Sequence, residues 1–534
     1  MILKPPGGAN DGPTQHPEDT GPDGPGEGEN GPSPEHSSNT IPPILPEAQK
    51  TVRNVGFLLL QHGSHVLYAI LFAALVPRLM GPTTYGQFNL LTSLAMWLVF
   101  SGSLGMTQIV GRYVPEFLHR GDREGLLKFV GQMAVTRLIV GLAGGLVYYL
   151  ITVLWLRDLD WLVLGFMALS VVLNILTISV FALFLGLNQA ARWGMRDTLM
   201  RWLSLIFILA GLALWGLKGA CLGMALTELL LLGVGYWWAR PYMEKRYFGL
   251  EWGYLSPYFR LGFIFFGSEV IVSTFQFAGS ALILFMSANY NEVSFFGLAY
   301  QGCTLAAVAF FQLAMAFAPF LALLLARQDS SSFQGWVEQL LKWLGVSGIL
   351  CFLGALFLAD TILPLLMGQA FRPVTDNLVL MTISLPFLGV VSMGSVLAMI
   401  KDRPGMALEA ALLRLAAFLI LGVPLVGWWG SLGGSLAFVL AGVAQCGYYL
   451  IRLQGLLTFS VRPWCLTLGL AGLFVPLSWL KSSWLVNLTL GAAAMAGYTG
   501  TLLILGLISF GELVLIWQAL SSRRTSPAPT LGAT

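Results

Sequence analysis

Glu269, Ser273, Gln276 and Ser280 follow one another at steps of four, three and four through a run otherwise built largely of Phe, Ile, Val and Leu. That spacing aligns four polar side chains on one helical face. Gln61, His65 and Tyr68 repeat the pattern near the start of the apolar sequence, with His62 beside them. Carboxyl, hydroxyl, amide and imidazole groups lined up in this way can bind a polyhydroxylated ligand or a cation, or join neighbouring helices by hydrogen bonds. An acid deep in an apolar run is costly to expose to lipid, so Glu269 and Glu228 are functional candidates by default. Glu228 is expected to pair with an arginine such as Arg137, as a structural or coupling ion pair. His65 has the side chain to titrate near neutral pH, although hydrogen bonding within a packed bundle explains a membrane histidine equally well. Arg137, Arg201 and Arg414 lie one to three turns inside their runs, where snorkelling toward headgroups is the plain alternative to a binding role.

The elements that position these residues follow from composition. The chain is 56 % hydrophobic and only 10 % charged, against roughly 25 % charged residues in a soluble domain. It cannot cover a water-facing surface, and the bilayer is its solvent. Apolar stretches of the length that crosses about 30 Å of hydrocarbon recur from Val55 onward. They are continuously apolar rather than alternating, which excludes a β-barrel and leaves helices. Hydropathy and turn residues predict an all-α polytopic protein with about fourteen spans, near 54–76, 86–110, 129–155, 160–186, 198–216, 219–239, 260–286, 295–325, 337–359, 376–400, 407–426, 431–451, 463–480 and 485–508.

Basic residues alternate between the two sets of loops. Those after even-numbered spans carry Arg112, Arg120, Arg123, Lys128, Arg192, Arg196, Arg240, Lys245, Arg246, Arg327, Lys401, Arg403, Arg452 and Arg462. The opposite set carries only Arg78, Arg157, Lys218, Arg372 and Lys481. The positive-inside rule makes the first set, and both termini, cytoplasmic. All loops are short, so no extramembrane catalytic domain is expected, and no phosphate-cradling or nucleophile motif occurs in them. Cys221, Cys303, Cys351, Cys446 and Cys465 fall inside spans without metal-ligand spacing. They read as small packing residues, and no metal or cofactor is expected. Residues 1–46 are rich in Pro, Gly and acids and are expected to be a disordered tail with no cleavable leader. Phe510 to Leu520 has a helical apolar period with polar breaks and is expected to lie along the membrane interface.

Two stretches echo each other. Trp193-Gly-Met195 followed by Gly216-Leu-Lys-Gly-Ala220 matches Pro404-Gly-Met406 followed by Gly430-Ser-Leu-Gly-Gly434, and Gly56-Phe57 leading to Tyr85-Gly86 matches Gly262-Phe263 leading to Phe296-Gly297. The copies run in the same direction six spans apart, which predicts a parallel repeat about an axis along the membrane normal. The domain organisation expected is therefore a tail at 1–46, six-helix lobes at 52–247 and 256–456, two extra spans at 460–508, and an interfacial helix with a C-terminal tail at 509–534.

Leu79-Met-Gly-Pro-Thr-Thr-Tyr-Gly-Gln-Phe88, Ser103-Leu-Gly-Met106 and Arg112-Tyr-Val-Pro-Glu116 resemble the N-terminal signature of the polysaccharide-export flippases, of the multidrug/oligosaccharidyl-lipid/polysaccharide exporter superfamily. Glu292-Val-Ser-Phe-Phe-Gly-Leu-Ala299 resembles the start of that family's eighth span, and Gly430-Ser-Leu-Gly-Gly-Ser-Leu-Ala437 its turn between the eleventh and twelfth. The resemblance covers residues from about 52 to 524. It implies two pseudo-symmetric six-helix bundles around a central cavity, with two helices added. It also implies a transporter rather than an enzyme, moving a lipid-linked oligosaccharide from the cytoplasmic to the outer leaflet of a bacterial inner membrane by alternating access. The expected partners are that glycan, membrane lipids and other polysaccharide-assembly proteins, with no nucleic acid. By resemblance the first, second, seventh and eighth spans surround the cavity, so the two polar stripes should meet there, with Arg112, Arg201 and Arg414 as candidate phosphate contacts on the cytoplasmic side. In the lipid II branch cavity arginines bind pyrophosphate, whereas histidines stand in the first span here. A multidrug antiporter of the same superfamily and a membrane-embedded glycan polymerase or ligase are the alternatives.

Overall fold

Prolines and glycines decide where the long apolar runs break into helices. In α1 (Ile44–Ser101), Pro77 and the Gly81-Pro82 pair interrupt one continuous run; Gly81 takes a φ of 75°, a left-handed value that costs glycine little. The first two expected spans are the two arms of this kinked element. The second arm stops earlier than the sequence suggested: Gly102-Ser-Leu-Gly105 turns the chain, and α2 (Met106–Arg120) begins a separate helix. The computed structural model describes residues 44–401, 403–454, 461–505 and 507. Its side chains are described from residue 64 onward except at 190, 260–265, 268, 269, 272, 319, 404 and 461–465. Both the expected tail before residue 44 and the expected interfacial helix at 510–520 lie outside the described residues.

The remaining spans follow in order as α3 (Arg123–Trp155), α4 (Trp161–Gly186), α5 (Ala190–Trp215), α6 (Leu217–Ala239), α7 (Trp252–Ser287), α8 (Tyr290–Ala326) and α9 (Ser330–Met367). Asp122, Asp160 and Asp329 cap α3, α4 and α9, each accepting from a first-turn backbone N–H at 2.8, 2.8 and 3.1 Å. The tenth expected span is instead two helices, α10 (Val374–Thr382) and α11 (Leu385–Ile400), meeting at 51°. Pro386 has no N–H to give to the carbonyl one turn earlier, so the helix cannot continue. α12 (Pro404–Arg452) holds the eleventh and twelfth spans across a kink at Gly430. α13 (Val461–Phe474) ends in a 3₁₀ turn, and α14 (Trp484–Ile504) closes the described chain. Eight of these described helices are individually long and apolar enough to cross a membrane, two of them being the kinked pairs α1 and α12.

Among the described residues the chain is all helix, arranged as a polytopic membrane protein of two six-helix bundles with two added helices. In the first bundle α3 packs on α4, and α6 packs on both α4 and α5; in the second, α7 packs on α12 and α11 on α8 and α9. α13 and α14 lean on α9 around Phe357, Ala494 and Tyr498. Lys481 fastens them there through Asp360 at 2.7 Å. The parallel repeat is visible in the backbone: Gly216 (φ 58°, ψ −136°) and Gly430 (φ 56°, ψ −132°) turn the same hairpin in each bundle.

Candidate functional site

His65 and Tyr68 of α1 line a cavity of about 500 Å³ together with Arg201 of α5 and Gln301 and Thr304 of α8; α9 and α10 close its far side with Leu363, Leu366 and Leu378. Small and aliphatic side chains fill the rest, and no Asp or Glu is among its described lining residues. Arg201 lies with its guanidinium 5.8 Å from the centre of the Tyr68 ring, and that guanidinium forms no ion pair or hydrogen bond with another described residue. Stacking on an aromatic face satisfies a guanidinium electrostatically while leaving its in-plane N–H donors free. α1 is tied to α5 beside it by Trp202, whose indole N–H donates to Ser64 Oγ at 2.8 Å.

The described residues of the α7 stripe are not among this cavity's lining residues. Ser273 spends its hydroxyl on its own helix, donating to the Val270 carbonyl at 3.0 Å, and Ser280 accepts from Asn89 Nδ2 at 3.4 Å. Gln276 is half-buried, and the side chains of Gln61 and Glu269 lie outside the described residues. α7 packs part of its described polar face against the second arm of α1. Trp97 of that arm donates to Thr274 Oγ1 at 2.8 Å and stacks on Phe277 with ring centres 5.4 Å apart.

Asn89 was not singled out from the sequence, yet it joins both bundles. It is buried, gives its amide to Ser280 and accepts from Gln301 Nε2 at 3.2 Å. The signal was present, because Asn89, Thr92 and Ser93 have helical i, i+3, i+4 spacing in an otherwise apolar run.

The other candidates separate. Glu228 Oε1 accepts from Asn174 Nδ2 at 2.7 Å, and its backbone carbonyl accepts from Thr177. Arg137 is buried and donates to the Gly102 carbonyl at 3.2 Å, filling the hole left where the chain turns between α1 and α2. Arg414 is held between Phe275 and Phe438, 4.4 and 4.9 Å from their ring centres, away from the cavity. Arg112 is exposed on α2. Only Arg201 of the three phosphate candidates reaches the cavity. Among the described residues no cluster of His, Cys, Asp or Glu has metal-binding geometry.

At the helix ends away from the basic loops the bundles touch. Thr83 Oγ1 donates to Asn291 Oδ1 at 2.8 Å, the Tyr290 hydroxyl donates to Asp158 at 3.1 Å, and Tyr85 meets Phe371 edge-on. Gly86 is pressed against the backbone carbonyl of Tyr290, where any side chain would collide. The described contacts between bundles thus close this end.

Known structures share the architecture. The lipid II flippase MurJ, in an inward closed conformation, superposes with a TM-score of 0.65 at 15 % identity, over 86 % of this chain and all of that one. An inward-facing multidrug resistance transporter, of the MATE family within the MOP superfamily, superposes with a TM-score of 0.62 at 16 % identity, over 75 % of this chain and 96 % of that one. No family profile and no curated sequence matches. The chain shares the all-helical fold of these two transporters.

Proposed function

We propose that this protein is a flippase that carries a lipid-linked, phosphate-bearing oligosaccharide from the cytoplasmic to the outer leaflet by alternating access. The observation that carries the reading is Arg201, a cation with no acidic partner among the described residues, laid on Tyr68 in a cavity that is apolar on most sides and polar along one. Apolar walls suit a lipid, a stacked guanidinium suits a phosphate, and the hydroxyl and amide groups of Tyr68, Gln301 and Thr304 suit a sugar. A cationic drug would be repelled by Arg201 and would find no acid among the described lining residues.

In this reading Gln61 and Glu269 serve sugar hydroxyls or a coupling cation, and the lobes are residues 52–247 and 256–456. The ends bearing the basic loops, with both termini, face the cytoplasm of a bacterial inner membrane. Proteoliposomes loaded with an undecaprenyl-diphosphate oligosaccharide test it. Arg201→Gln should lower the translocation rate by about tenfold or more, since a charge-assisted phosphate contact contributes about 1.5–3 kcal/mol. Arg201→Lys should retain an intermediate rate. Unaltered translocation by Arg201→Gln, or drug efflux that exceeds glycolipid transport in the wild type, would exclude the proposal.

A further inference from the structure

A second cavity, of about 340 Å³, lies inside the first bundle under the connector between α6 and α7. Val110, Met133, Val180 and Leu232 line it from four helices, and Met243 and Phe248 of the connector form its roof. It has no lining residue in common with the His65–Arg201 cavity. Its one charged lining residue, Arg137, is already engaged with the Gly102 carbonyl. Leu138, Tyr236 and Phe248 belong both to its lining and to the exposed surface, so the cavity opens sideways among residues that face lipid.

Two observations define an occupant. First, Tyr236 and Trp237 at the end of α6 are exposed aromatics beside a basic connector, the arrangement found at headgroup depth. An apolar slot beginning at that depth has the position of an acyl chain. Second, the connector carries Arg240, Lys245 and Arg246 within seven residues. Arg246 is occupied by Glu124 at 3.2 Å and Glu244 at 3.6 Å, whereas Arg240 and Lys245 are exposed and form no ion pair among the described residues. Cations free on the connector that supplies Met243 and Phe248 to an apolar slot complement an anionic headgroup above a hydrocarbon tail.

We propose that this cavity binds one acyl chain of an anionic bilayer phospholipid, with Arg240 and Lys245 holding its phosphate. The lipid is a resident of the first bundle, separate from the transported cargo. An empty apolar slot would leave its walls without contacts on one side; an acyl chain restores them and joins α2, α3, α4 and α6 to the connector.

Native mass spectrometry of the full-length protein, with phosphatidylglycerol and phosphatidylcholine of matched acyl chains, tests the site. Phosphatidylglycerol should be retained in preference to phosphatidylcholine. The exposed double variant Arg240→Gln/Lys245→Gln should lower its retention about tenfold, and Ala134→Phe, which fills the slot, should abolish it. Arg452→Gln, a basic residue of α12 already paired with Glu409, should change nothing. Equal retention of the two lipids would overturn the proposal. So would wild-type retention by the double variant, or an equal loss in Arg452→Gln.

Discussion

Asp160 shows how a single half-buried residue fixes a helix end. Its carboxylate accepts from the Leu162 N–H at the start of α4 and pairs with Lys218 at the start of α6, at 2.6 Å. The Lys218 hydrogen bond, with the Leu162 N–H second, holds its pKa below the ordinary aspartate value. A carboxyl depressed in the folded state contributes stability above its unfolded pKa and loses it as the pH falls through the folded value. Asp160→Asn should therefore lower the unfolding midpoint slightly at pH 7, the effect being small because the pair is partly exposed. The gap to the wild type should begin to narrow below about pH 4 and close as the pH falls through the folded-state value; a gap that does not narrow at all between about pH 5 and pH 3 in thermal melts would contradict this account. Nothing in the sequence pairs Asp160 with Lys218, which lie in different loops. Periodicity marked the α7 stripe but could not say which of its hydroxyls would turn back to their own helix, as Ser273 does. That choice depends on the neighbouring helix, and so does the role of Asn89.

Whole helices were more legible than their contacts, because span length and apolarity are set by the bilayer and not by partners. The hairpin echo read from Gly216-Leu-Lys-Gly and Gly430-Ser-Leu-Gly reappears as two turns with matching backbone angles. What the pattern could not give was the break of the tenth span at Pro386 or the turn at Gly102-Ser-Leu-Gly105, since both sit in runs that stay apolar throughout. Each hairpin depends on close backbone contact: a Cβ on Gly219 would overlap the Gly211 carbonyl, and one on Gly433 would overlap the Leu425 carbonyl. Small residues allow helices in lipid to approach in this way. Gly219→Val should abolish most folded protein, as judged by fluorescence size-exclusion of a tagged chain. Gly165→Val, at a glycine with open space around it, should express near the wild-type level. Equal yields from the two would show that the close approach is dispensable.

At the scale of the molecule, the two bundles touch at the ends away from the basic loops and again near those loops, where Tyr113 of α2 meets Tyr258 of α7 edge-on at 4.7 Å, while the His65–Arg201 cavity lies between α1, α5 and α8. In the proposed transport cycle, with the basic ends cytoplasmic, the rim contacts away from the basic loops close the outer side. Opening it must part Thr83 from Asn291 and Tyr290 from Asp158, and must lift Gly86 off the Tyr290 backbone. These are a few neutral or singly charged hydrogen bonds at an exposed rim, each with a net value of only about 0.5–1.5 kcal/mol. A small differential affinity of cargo for the open form is enough to separate them. Deeper in, Asn89 has partners in both α7 and α8, so it must exchange them during the cycle. A disulfide across the rim should therefore trap one state. Thr83→Cys with Asn291→Cys, in a background whose native cysteines are replaced by Ala, should crosslink on mild oxidation. Oxidation should then stop glycolipid translocation in proteoliposomes, and reduction should restore it. Each single cysteine variant should transport normally under both conditions. If the fully crosslinked protein still translocates at the uncrosslinked rate, the rim does not part during transport, and alternating access through this end is wrong.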